Sequence, residues 1–210
     1  MTLRCLLLTV LCCVFVPARG AFAATILQDV PVRVYDATGL DQMTREAALD
    51  LAAATLAPTG AAIYWRDCQV KKTAATCAAT PAAGELVLRI VRSTSGSGRA
   101  PSGAVQLRSR SLLPLGDAFV DPGAQSGVLA TIYLDRVVLL TQLAGGGVST
   151  LLGRAIAHEI GHLLLASNAH SLSGLMRPIW SAEEVRRGRA ADWTFNEREA
   201  AAIRTRLEAR

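Results

Sequence analysis

An α+β domain is the fold class that the sequence predicts, and three observations predict it. Short β-patterned runs near residues 26–35, 61–65, 85–91 and 127–134 are interleaved with alanine- and leucine-rich stretches of helical period. One of those stretches, opening at Ser149, carries Leu151, Leu152, Ala155, Ile156, Ile160, Leu163 and Leu164, a face wide enough for a central helix. Two capping signatures, Ser181-x-x-Glu184 and Asn196-x-x-Glu199, then open helices near the C-terminus.

Taken in order, Ile26 to Tyr35 alternates at Val30, Val32 and Val34 and reads as the first strand. Asp41 to Leu56 places Met43, Ala47, Leu51 and Ala54 on one side, a helix stopped by Pro58-Thr59-Gly60. Ala61 to Trp65 is a second strand, and Glu85 to Val91 is the plainest strand of the chain. A loop at Ser93 to Gly98 follows, then an irregular stretch through Gly116 and Pro122-Gly123. Gly127 to Leu134 is another strand. Asp135 to Leu143 starts a helix that Gly145-Gly146-Gly147 breaks, after which Ser149 is expected to cap the central helix. The last helix should run from Glu197 to Leu207, packing through Ala201, Ile203 and Leu207.

Residues 1–23 read as a cleaved export signal rather than as part of the fold. Arg4 is a basic n-region, Cys5 to Val16 is an apolar run too short to span a bilayer with ease, and Ala21-Phe22-Ala23 is a cleavage site. Leu11 before Cys12 excludes a lipoprotein signal; an uncleaved anchor is the rival reading. The expected domain is residues 24–210, secreted or periplasmic, with no stable membrane insertion after cleavage. Its length suits one domain with its own core. The formal charge of +5 falls to +3 once Arg4 and Arg19 leave with the signal. No dense Lys/Arg block remains, so a nucleic-acid partner is not indicated. Cys68 and Cys77 are the two cysteines outside the signal, and in an exported chain an even pair reads first as a disulfide.

All three histidines of the chain fall between positions 158 and 170. His158-Glu159-Ile160-Gly161-His162 spells H-E-x-x-H, and on a helix positions i and i+4 share a face, so two imidazoles can meet one metal ion. Glu159 lies to the side of that pair, where its carboxylate can take a proton from water. A catalytic zinc takes three protein ligands and keeps a fourth position open, so a third ligand is required. His170 supplies it if the helix ends around Ser167-Asn168, with Asn168 in the left-handed conformation turning the chain back. Glu183 and Glu184 are the competing candidates, although Glu184 also fits as the cap of its own helix.

The H-E-x-x-H helix, a third histidine followed by serine, and the Leu175-Met176-Arg177-Pro178 run together resemble the metzincin clan of zinc metallopeptidases, the matrixin-type pattern in particular. The resemblance covers about Ala155 to Pro178. It implies a small mixed sheet packed on the active-site helix and C-terminal helices after it. It also implies one catalytic Zn2+ held by His158, His162 and His170, Glu159 as general base, and Met176 in a turn that floors the site. The sequence departs from the clan pattern in two places. Leu165 stands where the clan has glycine, with Asn168 where it has its third histidine, so His170 comes two residues later. Arg177 stands where some relatives place a tyrosine ligand.

The expected activity is a secreted zinc endopeptidase acting on polypeptide substrates. An edge strand beside the cleft is expected to pair with extended substrate, Gly127 to Leu134 being the candidate. Two rivals share the motif: a non-catalytic exported zinc-binding module, and a zinc amidase acting on cell-wall peptides. A closed structural site would need a fourth protein ligand, and no spare His or Cys lies nearby. The sequence is silent on oligomeric state.

Overall fold

The structure is a computed structural model that describes residues 28–69, 73–93, 114–121, 123–124 and 126–210. The expected export signal and most of the expected loop at 93–98 lie outside the described residues. Five strands form one sheet: β1 (Gln28–Asp36), β2 (Ala61–Asp67), β3 (Leu86–Val91), β4 (Gly116–Asp121) and β5 (Ser126–Tyr133), in the order β2-β1-β3-β5-β4. The first four in that order run parallel, and β4 is antiparallel to β5 at the edge.

Period-2 patterning decides which face of this sheet is covered. Val30, Val32 and Val34 of β1, Leu86, Leu88 and Ile90 of β3, and Ala130 and Ile132 of β5 are all buried on one side. Against that face lie α1 (Gln42–Leu56) and the long α4 (Val148–Leu165). From α4 alone, Leu151, Leu152, Ile156, Ile160, Leu163 and Leu164 are fully buried. At about 1.5–3 kcal/mol for each large apolar side chain, this helix is anchored far more strongly than its intrinsic propensity could achieve. Its ends therefore do not set where it lies. The packing does.

Around this core sit α2 (Ala74–Ala78), α3 (Leu134–Ala144), α5 (Ala182–Arg187) and α6 (Glu197–Glu208). Asp41 caps α1 through Thr44 N–H, and both predicted capping boxes, Ser181/Glu184 and Asn196/Glu199, are formed. Gly145 ends α3 in the left-handed conformation, as the glycine run predicts. Among the described residues no helix is long and apolar enough to cross a membrane.

Cys68 and Cys77 are joined by a disulfide, their Cα atoms 5.8 Å apart. The segment from Cys77 to Thr80 is held against the face of the sheet opposite α1 and α4. Tyr35 donates its hydroxyl to the Cys77 carbonyl at 2.7 Å, and Arg33 donates to the carbonyls of Cys77, Ala79 and Thr80. Arg33 also pairs with buried Glu85 at 2.7 Å, and Arg66 binds the other oxygen of that carboxylate. Hydrogen bonding from Arg33 holds the Glu85 carboxyl below its ordinary range.

Three local expectations are corrected. The stretch around Gly116 is a strand, not an irregular loop. The bulge between Phe119 and Val120 breaks the two-residue alternation that would have revealed β4. Ser149 does not cap α4: the helix opens at Val148 with Gly147 at the N-cap and no side-chain cap. Finally, β5 (residues 126–133) is an interior strand flanked by β3 and β4, so the edge expected at Gly127 to Leu134 belongs instead to β4.

Candidate metal centre

Helical spacing brings His158 and His162 together on one face of α4, their Nε2 atoms 3.1 Å apart. His170 arrives from the following loop with its Nε2 3.2 Å from that of His162, and the ligand atoms of all three lie within 4.8 Å of one another. A tetrahedral ion bound at about 2.0–2.1 Å separates its nitrogen ligands by roughly 3.3–3.4 Å, close to the two short edges here.

The second nitrogen of each helical histidine settles the tautomer. His158 Nδ1 donates to the Leu175 carbonyl at 2.8 Å, and His162 Nδ1 donates to the Ser167 carbonyl at 2.7 Å. A carbonyl can only accept, so Nδ1 keeps the proton and Nε2 presents a bare lone pair. Burial pushes the His158 imidazole down to about 3, with the neighbouring His162 adding to it, and burial also lowers His162 and His170. Neutral rings with facing lone pairs have no hydrogen to share. A cation between them removes that repulsion, so the donor set fits a metal ion.

Glu159 is buried alongside, on the wall of a cleft of about 300 Å³ that also exposes His158, His162 and His170. Burial raises its carboxyl to about 8, and the charge of Asp117 contributes in the same direction. A bound divalent cation would act the opposite way, favouring the carboxylate. Its space exists because β4 begins with glycine. A Cβ at Gly116 would stand 2.9 Å from Glu159 Oε1 and 2.5 Å from the Thr131 carbonyl.

The turn that delivers His170 is placed differently from expectation. The helix ends at Leu165, and Ala166, not Asn168, takes the left-handed conformation at φ 46° and ψ 45°. Its N–H points back to the carbonyls of His162 and Leu163. The α4 packing fixes where the helix must stop, and an alanine accepts the strain there.

Met176 is fully buried and its Sδ lies 2.9 Å from where a Cβ on Gly161 would stand; Phe195 crowds the same point at 2.7 Å. Gly161 thus lets Met176 and Phe195 press against the helix next to His162. The Trp180 ring meets His158 edge-on at 5.5 Å and lines the cleft, while Trp193 packs behind it at 5.0 Å under the Arg154 guanidinium. Trp193 is a packing residue. Trp180 packs and also forms cleft wall.

The competing glutamates are engaged elsewhere. Glu184 closes its capping box with Ser181 and pairs with Arg177, and Glu183 pairs with Arg186 at the surface. Arg177 is itself buried, donating from Nε to the Gly174 carbonyl at 3.0 Å and so bracing the turn before Pro178. Gly116 and Asp117 are the site residues that pattern reading missed. The signal available was Ala118-Phe119-Val120, an apolar triplet bounded by Pro114 and Pro122. Gly161 had a signal too, since a mid-helix glycine costs about 1 kcal/mol relative to alanine and needs a packing reason.

No protein-family model matches the chain, and no curated protein matches it.

Proposed function

We propose that this protein is a zinc-dependent endopeptidase of the metzincin type, exported by the signal read at residues 1–23. The observation that carries the reading is the convergence of three imidazole Nε2 atoms beside the carboxyl of Glu159, in a cleft open to solvent. His158, His162 and His170 would hold the ion, with Met176 as the apolar floor beneath them. Zinc bound there would polarise a scissile carbonyl and lower the pKa of water toward neutrality. Glu159 takes the proton of the attacking water on its carboxylate and delivers it to the leaving amide nitrogen.

The substrate would lie along β4. Among the described residues that strand pairs with β5 alone, and its first residues line the cleft next to Glu159. An extended peptide can add to such an edge through main-chain hydrogen bonds. The expected strand-pairing role therefore moves from residues 127–134 to residues 116–121.

The test is cleavage of a denatured-protein or peptide library by the zinc-loaded protein, run beside Glu159→Ala and beside a chelator-treated sample. Peptide products from wild type alone support the reading. Stoichiometric zinc in both proteins with products from neither would leave a zinc-binding module and remove the peptidase. Release from cell-wall peptides without cleavage of the protein library would move the activity to an amidase.

A further inference from the structure

We infer that Glu199, on the last helix of the chain, is a positioning residue that holds the third metal ligand, His170, through Ser171. The inference rests on the metal-centre reading above and adds a part of the molecule that the H-E-x-x-H region does not contain.

The three ligands are not held in the same way. His158 and His162 sit on α4 with their Nδ1 atoms tied to carbonyls, so both backbone and ring are fixed. His170 lies on no helix or strand and is exposed. Its aim depends on the path of the loop from Ala166 to Met176. That loop is tied down immediately after the ligand: Ser171 N–H donates to the Met176 carbonyl at 2.8 Å, and Ser171 Oγ donates to Glu199 Oε1.

Ser171 and Glu199 are 28 positions apart in sequence, and Glu199 is buried. Its second oxygen, Oε2, accepts from Asn196 N–H at 2.8 Å, while Asn196 Oδ1 accepts from Glu199 N–H at 2.9 Å. The carboxylate is therefore oriented by the capping box of α6, and only its remaining oxygen faces the ligand loop. Asn196 Nδ2 reaches Ser171 Oγ at 3.5 Å, closing the ring of three side chains. One further bond joins the same two segments, Leu175 N–H to the Thr194 carbonyl at 2.9 Å. A capping box alone needs no partner outside its helix; this one spends half of its carboxylate on the residue next to a metal ligand.

Ser171→Ala cuts the link and leaves the capping box intact, so it separates ligand positioning from helix stability. The readouts are zinc affinity by chelator competition, the visible spectrum of the Co2+-substituted protein, and thermal unfolding of the metal-free protein. Outer-shell groups of this kind typically change metal affinity by about 10–100-fold. The expected result is zinc affinity lowered at least about tenfold with an altered Co2+ spectrum, while the metal-free melting curve stays near wild type. In a His170→Ala background the same substitution should cost no further affinity. Glu199→Gln, whose amide can accept from Asn196 N–H and donate to Ser171 Oγ, should keep most of the affinity that Ser171→Ala loses.

Undiminished zinc affinity in folded Ser171→Ala would overturn the inference and leave the metal centre standing. An equal loss with and without His170 would overturn it too, since the effect would not pass through the ligand. Failure of the wild-type protein to bind zinc or Co2+ at all would remove the metal centre, and the inference with it.

Discussion

The two halves of the metal site are built by different means. The helical half, His158 to His162, is specified by chain spacing and locked by burial: both histidines and Glu159 are less than a tenth exposed. The loop half, Ala166 to Trp180, has no regular structure, and its histidine is exposed. It owes its shape to contacts with distant segments: Leu175 with His158, Met176 with Gly161, Arg177 with Glu184, and Ser171 with Glu199. A helix can present two ligands with no help from the rest of the fold beyond being buried. A loop can present the third only if several parts of the fold agree on where it goes.

The largest expected effect is in the helical half. Glu159→Gln should lower peptide cleavage by about 10²–10⁴-fold while zinc remains bound, measured as turnover per bound metal. Loss of zinc with loss of turnover would instead make Glu159 a part of the metal's support.

Next come the ligands compared with each other. His162→Ala and His158→Ala should each weaken zinc binding beyond the roughly hundredfold that an outer-shell change can produce. His170→Ala should weaken it less, because at this exposed position water can take the place of the lost imidazole. Equal losses in a chelator-competition titration would erase the distinction between the halves.

Gly116→Ala tests the room left for the base. A methyl group there meets the Thr131 carbonyl and Glu159 at under 3 Å, so β4 or the carboxylate must shift. Destabilisation of about 1–3 kcal/mol is expected in denaturant unfolding, together with a drop in turnover larger than any drop in zinc affinity.

Acid offers a control that touches neither half. The Glu85 carboxyl is held below its ordinary value by Arg33, so it contributes stability above about pH 4.5 that is lost as pH falls through its lowered folded value. Glu85→Gln should therefore be less stable than wild type at neutral pH, with the gap closing below pH 4. A gap independent of pH, read from denaturant unfolding across pH 3–7, would show that the pair contributes through packing alone.

The smallest expected effect lies at the join. Ala166 is a non-glycine residue in the left-handed region, and Ala166→Gly should relieve about 1 kcal/mol, offset in part by the freer unfolded chain. A rise of a few degrees in melting temperature with unchanged zinc affinity would show that the turn is strained for want of a glycine. A fall in affinity would show that the alanine also helps to aim His170.

Much of this was legible along the chain. Alternating valines in β1, the apolar face of α4, Gly145 and both capping boxes are local signals, and the elements they mark stand where they predict. The disulfide between Cys68 and Cys77 followed from there being one cysteine pair outside the expected signal. β4 escaped because its bulge spoils the alternation and because an edge strand draws half its ladder from a neighbour that no local pattern announces. The end of α4 was misplaced by two to three residues for a related reason. Asn168 has the better left-handed propensity, but packing of Leu163 and Leu164 fixes the last turn, so Ala166 must take the strained conformation.

The sequence by itself determined the identity of the donor atoms: three imidazoles and a carboxyl, two of the imidazoles on one helical face because 3.6 residues make a turn. Only the tertiary structure decided which nitrogen each helical ring offers, since the carbonyls that fix the tautomers come from Leu175 and Ser167. It also decided that His170, and not the glutamates, lies beside the helical histidines, that β4 passes beside Glu159, and that Ser171 bonds to Glu199. Some of those contacts are between near neighbours in the chain and some between distant segments, but all form only once the loop and the strands are folded onto α4. Their energy depends on three-dimensional packing, which spacing along the backbone does not encode.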